Sequence, residues 1–296
     1  MTNLKKIGLT ALAGTLAATT FAQAGDLSAS GTARMEYQSD ESTTSAVSTS
    51  SDAFHQNTTI TFTGSGEMDN GWNVSMMQAI TGQAAKSVTS NNVVVDMGDA
   101  GVLSMASHNK AGIGTISDKV PNGGEEPWDD QGTHGGHEDG VASPHTGNRL
   151  GYTYDAGTVT LTAASDLSAD GGTHSMAISS STLIEGLDIG AGMADVQSTA
   201  ALEDDLETYY ISYTMGAVSV GAQKTKVDAE TANSDIERDA YGISMVVNEN
   251  LSVGYGVSDV EYDATAKTQD EESREIGAVY TSGGMTIGLQ NITKDN

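Results

Sequence analysis

The side chains best suited to chemistry crowd into one stretch, Asn109 to Thr146. It holds His134, His137 and His145, and Thr133-His134-Gly135-Gly136-His137-Glu138-Asp139 sets two imidazoles beside two carboxylates. Such a set can ligate zinc or a harder divalent ion. A metal site also needs partners that hold its ligands in place, and a glycine-rich run supplies none. We read the histidines as part of a polar loop and assign no metal site. The same stretch carries the acids Asp118, Glu125, Glu126, Asp129, Asp130, Glu138 and Asp139, with Lys110 and Lys119 near its start. Three arginines, Arg34, Arg149 and Arg238, lie elsewhere in alternating segments. Basic residues on a wall facing acids on a loop would make a transverse field that filters solutes by charge and size. That is selection, not catalysis.

Catalytic constellations are missing from the chain. It contains no G-x-S-x-G elbow, no P-loop and no H-E-x-x-H. With no cysteine, thiol nucleophiles and zinc–thiolate sites are excluded. The formal net charge of −27 argues against nucleic acid, which calls for a basic patch. The chain is therefore expected to be no enzyme and to hold no cofactor, although its acidic loops could bind Ca2+ or Mg2+ loosely, alone or bridging to lipopolysaccharide phosphates.

The elements that must position these residues are strands. Leu251, Val253, Tyr255 and Val257 fall on one face, with Ser252, Gly254, Gly256 and Ser258 on the other. Tyr209, Ile211, Tyr213 and Met215 repeat the pattern, as do Tyr241, Ile243, Met245 and Val247, then Met285, Ile287 and Leu289. Successive side chains of a strand point to opposite sides, so strict alternation fits lipid on one face and water on the other. About fifteen such segments run from Leu27–Tyr37 to Gly284–Thr293. Short turns such as Gly98–Ala100, Gly216 and Ser282–Gly283 alternate with long acidic connections. The long ones are Gln38–His55, Gly82–Thr89, Asn109–Thr146, Leu167–Gly171, Val196–Asp205, Val227–Ile236 and Glu261–Glu271. Short turns at one end and long loops at the other are the sidedness of an outer-membrane barrel. The fold class is all-β, a transmembrane antiparallel β-barrel.

Parity places Arg34, Arg149 and Arg238 on the lumen face, since a charge on the lipid face near the midplane costs roughly 2–4 kcal/mol. Arg274 shares parity with Ile276 and belongs at an interface. Tyr37, Tyr209, Tyr262 and Tyr280 suit interfacial girdles.

Residues 1–24 form a secretory signal peptide: Lys5 and Lys6, an uncharged stretch from Ile7 to Thr20, then Ala22-Gln23-Ala24 as the cleavage site. Its removal would take the formal charge from −27 to −29 and leave 25–296 as one barrel domain with a long third loop, 109–146. Single-chain bacterial barrels have an even strand number, so fifteen strands imply about sixteen in the complete barrel, with one loop and one terminal strand missing after Asn296.

The chain resembles the general porins of alphaproteobacteria. The matching pieces are Leu27-Ser28-Ala29-Ser30-Gly31-Thr32-Ala33-Arg34-Met35 and the hairpin from Ile60-Thr61-Phe62-Thr63-Gly64 to Asp69-Asn70-Gly71-Trp72-Asn73-Val74. Two more are Val94-Val95-Asp96-Met97-Gly98-Asp99-Ala100-Gly101-Val102-Leu103-Ser104-Met105 and Glu275-Ile276-Gly277-Ala278-Val279-Tyr280-Thr281. The resemblance implies a homotrimer in the outer membrane of a Gram-negative bacterium, passing small hydrophilic solutes through water-filled pores. It also implies that the third long loop folds inward and narrows the lumen, bringing its seven acids opposite the arginines, which would make the pore weakly cation-selective. The family ordinarily ends on a strand closing with phenylalanine, which this chain lacks. A secreted or surface-layer β-rich adhesin is the alternative from another class; it accounts for export, acidity and glycine but not for the alternation of short and long connections.

Overall fold

Small and polar residues alternating with apolar ones cannot bury both faces in a globule, and the chain instead curls into one sheet. A computed structural model describes residues 2–17, 27–44, 47–82, 87–106, 111–124, 149–168, 171–199, 202–232, 234–264 and 270–295. The strands are β1 (Thr2–Ala17), β2 (Leu27–Thr44), β3 (Val47–Glu67), β4 (Asn73–Gly82), β5 (Ser87–Asp96), β6 (Val102–Ala106), β7 (Arg149–Asp155) and β8 (Thr160–Ser168). They continue with β9 (Gly171–Ser180), β10 (Leu187–Thr199), β11 (Leu202–Met215), β12 (Val218–Asp228), β13 (Ser234–Asn248), β14 (Leu251–Ala264), β15 (Glu271–Ser282) and β16 (Met285–Asp295). Each pairs antiparallel with its neighbours in sequence, and β1 lies between β2 and β16, which closes the barrel. Closure leaves no unpaired edge, as a spanning sheet in lipid requires.

Strands β2–β16 are the fifteen expected from alternation. The position that closes them is taken by Thr2–Ala17, within the segment that carries the features of an export signal.

The outward face is a band of large apolar side chains. Tyr209, Ile211, Tyr213 and Met215 on β11 are exposed, as are Tyr241, Ile243 and Met245 on β13. Towards the loop end the same face turns charged. Lys224 on β12 pairs with Glu237 and, at 3.0 Å, with Asp239 of β13; Arg274 on β15 pairs with Glu272 and, at 3.5 Å, with Asp295 of β16. Arg274 thus sits at the rim, where parity had put it.

Several connections differ from expectation. Gln38–His55 is mostly hairpin, with β2 and β3 paired out to Thr44 and Val47. Val196–Asp205, Val227–Ile236 and Glu261–Glu271 are likewise shortened by strands that run past the apolar band. The ladder hydrogen bonds do not need lipid, so β-branched and hydroxyl residues carry the pairing on into water. Tyr262 is not a girdle residue: it lies on the inward face of β14, and its hydroxyl donates to Glu271 Oε2 at 3.3 Å. At the turn end, Gly216 (φ 61°) and Gly283 (φ 60°) take the left-handed conformation that tight hairpins need.

Candidate functional site

The long connection after β6 does not project outward. Its described part, Ala111–Gly124, lies inside the barrel as a belt along the wall from β7 towards β15. Ala111, Ile113, Ile116 and Val120 are almost completely buried. The belt starts beside Gly151 of β7 and turns through a short 3-10 segment, Gly112–Ile116. There Gly112 N donates to Thr162 Oγ1 (2.8 Å) and Ile113 N to Ser175 Oγ (3.2 Å), which ties it to β8 and β9.

Beyond that point the seat is apolar. Ile113 and Ile116 pack with Ala177, Ala194, Leu206, Tyr210 and Val227 in one buried cluster, with Val196 and Ile236 at its edge. These wall residues occupy inward positions, the face that alternation assigns to water, and the belt shields them from it. The amide of Gln223 on β12 then takes the chain: Nε2 donates to Ile116 O (2.9 Å) and Oε1 accepts from Lys119 N (3.2 Å). Further on, Val120 packs on Ala240, and Gly123 N donates to Glu275 Oε2 on β15 (3.2 Å).

Small wall residues make room for this path. A Cβ on Gly221 would stand 2.6 Å from Pro121 Cδ, and one on Gly242 the same distance from Val120 Cγ1. On Gly254 it would come 2.5 Å from Gly123 N, and on Gly277 2.5 Å from Gly123 O. The glycines therefore form a groove across β12–β15 in which the belt backbone lies. Alternation could not distinguish them from ordinary lumen glycines. The signal that was available is the set of large apolar residues at inward parity, Leu206, Val227 and Ile236, which have no reason to face water.

Arg34 faces the lumen, its side chain 40% exposed and paired with Glu36 at 3.2 Å. Arg149 and Arg238 are on the inward face but buried, at 2% and 6% exposure. Arg149 is two residues from Gly151, where the belt starts, and lies near the charge of Asp166; Arg238 is two residues from the Val120–Ala240 contact. Asp118 is exposed on the belt. Glu125, Glu126, Asp129, Asp130, Glu138 and Asp139 lie outside the described residues, as do Lys110, His134, His137 and His145. On the outer rim, Asp195, Glu203 and Asp205 bring carboxylate oxygens within 4.8 Å of one another.

A closed antiparallel barrel with an inner belt is a channel architecture, and comparison with known proteins says which. The sequence profile of the Gram-negative porins matches residues 8–291. The chain belongs to the Gram-negative porin family. None of the curated proteins matches it in sequence. Among solved structures, a refined porin is similar at 14% identity and a TM-score of 0.58, covering 99% of this chain and 100% of that one. A triple mutant of the Rh. blastica porin is similar at 12% identity and a TM-score of 0.57, with both chains covered in full. At such identity the likeness is one of fold. Membership makes the protein an outer-membrane channel rather than an enzyme, and it sets the adhesin reading aside.

Proposed function

We propose that this porin passes small hydrophilic solutes and ions by passive diffusion with a weak preference for cations. The observation that carries this reading is the unequal exposure of opposite charges on the barrel interior. Arg149 and Arg238 are buried, Arg34 is tied to Glu36, and the Lys119 ammonium lies 5.4 Å over the ring of Tyr210. Asp118, beside Lys119, is exposed. A charge exposed to water at the constriction acts on a passing ion far more than one covered by protein. Glu125, Glu126, Asp129 and Asp130 follow the belt directly in sequence and add to the same sign.

The test is the zero-current potential of single channels in a KCl gradient. It should have the cation sign and grow as salt is lowered, because screening confines exposed charges to about 8–10 Å at physiological ionic strength. Changing Glu125, Glu126, Asp129 and Asp130 together to their amides should move it towards anions. An anion sign in the unaltered channel would sink the reading.

The same proposal takes residues 1–24 as a signal removed on export and the working unit as a homotrimer, on the resemblance to general porins. It also has Ca2+ or Mg2+ held loosely at rim acids such as Asp195, Glu203 and Asp205, between the protein and lipopolysaccharide phosphates.

A further inference from the structure

We propose that Gln223, a side chain buried in the barrel wall, positions Asp118 at the pore and so sets the ion preference of the channel; this rests on the cation-preferring reading above. The two are linked through the bend at Ile116–Lys119. Asp118 has φ +53°, and no other non-glycine residue among those described has positive φ. The left-handed region is sparsely populated by residues with a Cβ, although Asp and Asn enter it more readily than most. Wall contacts to the residues on either side of it favour that conformation.

Gln223 does so from both sides. Its amide donates to Ile116 O and accepts from Lys119 N, so its two contacts bracket Ser117 and Asp118. Only a primary amide offers a donor and an acceptor side by side at its tip, which matches the C=O and N–H that the bend presents. The amide is itself held: Gln223 is 3% exposed, and its Nε2 also donates to Thr208 Oγ1 at 3.2 Å. Thr208 Oγ1 in turn lies 2.9 Å from Thr225 Oγ1 and donates to Lys224 O at 3.1 Å. The wall thus fixes which end of the amide points to which belt residue.

The bend separates two opposite charges that are adjacent in sequence. Lys119 turns back to the wall, over Tyr210, whose hydroxyl donates to Asp188 Oδ1 at 2.6 Å. Asp118 is left exposed to the lumen. Without the amide the bend loses both of these wall contacts, and the Asp118 carboxylate is freer to move relative to the ammonium beside it. The rest of the belt has its own anchors, in the cluster around Ile113 and Ile116 and in the Val120–Ala240 contact. Losing Gln223 should therefore free the bend without unseating the belt.

The experiment compares D118N, Q223M and the double variant in planar bilayers, with folding checked by heat-modifiable gel migration. Asn keeps the bend but removes the charge, and Met keeps the volume but removes both amide contacts. D118N should lower the K+ over Cl− permeability ratio about two-fold at low salt, where screening is weakest. Q223M should lower it in the same direction, and the double variant should fall no further than D118N alone. To separate positioning from simple retention of the belt, V120C and A240C can be combined; the chain has no other cysteine, so the oxidised pair tethers the belt. Q223M in that tethered background should still lose selectivity. If Q223M does not fold, Q223N, which is too short to bridge both contacts, takes its place. A ratio unchanged by Q223M, or effects that add to those of D118N, would overturn the proposal. An unaltered channel without cation preference would instead defeat the reading on which this rests, while D118N and Q223M could still be tested for non-additivity.

Discussion

At the residue scale, the groove glycines are the positions where one carbon changes the pore. A Cβ on Gly242 would meet Val120 and the Pro121 backbone, which cannot rotate away as a flexible side-chain end would. Gly242→Ala must therefore either strain the wall or lift the belt into the lumen. Overpacking of this kind costs roughly 1–3 kcal/mol. We expect lower single-channel conductance together with an earlier denaturant midpoint. Gly31→Ala is the control, because its Cβ would lie 3.5 Å from Thr59 O, an ordinary contact. Equal conductance in the two variants would mean that the belt is not seated by the groove. Residue types alone did not mark these glycines, since inward glycine is common in any narrow barrel. Only the path of the belt distinguishes Gly242 from its neighbours.

At the element scale, each strand carries two solvents on its two faces, and adjacent positions should respond differently to the same change. Ile211 on β11 is 53% exposed on the outward face, whereas Ser212 points inward, paired in register with Asp188 of β10. Ile211→Lys puts a charge into hydrocarbon and should cost roughly 2–4 kcal/mol in reversible unfolding from lipid. Ser212→Lys puts it into a hydrated interior near a carboxylate and should cost far less. Equal losses would show that β11 is not facing lipid at this level. The strands were legible because this two-solvent rule repeats along them, and the turns because short and long connections alternate. The outer ends were not, because ladder pairing continues into polar sequence where alternation gives no signal, as β2 and β3 do through Gln38–His55.

At the scale of the whole molecule, the barrel depends on what stands between β2 and β16. Here that is Thr2–Ala17, paired with both. A chain beginning at Gly25 lacks this strand and would expose backbone donors and acceptors on both flanking strands, each unsatisfied group costing several kcal/mol at membrane depth. The proposed cleavage predicts outer-membrane material that begins at Gly25 on N-terminal sequencing, and Met1 at its start would refute it. Residues 25–296 refolded into detergent should gain protease resistance when a further strand ending in an aromatic is supplied after Asn296. If they are already resistant without it, the pairing of β2 with β16 does not need a sixteenth strand.

The sequence by itself determined the class of the molecule. Alternation and the sidedness of the connections lead to a membrane barrel, because lipid and water on opposite faces leave strands few other arrangements. It also determined that Arg34, Arg149 and Arg238 point inward, since parity is local. What only the tertiary structure decided is which inward residues see the pore. Arg149 and Arg238 are buried while Asp118, on a belt distant in sequence from both strands, is exposed, and strand parity carries no signal for either. Leu206, Val227 and Ile236 likewise sit on a face that strand periodicity assigns to water, and the isoleucines of the belt pack against them there. Periodicity records the two sides of a strand; contacts between residues over a hundred positions apart, such as Gln223 with Ile116, are recorded only in the fold.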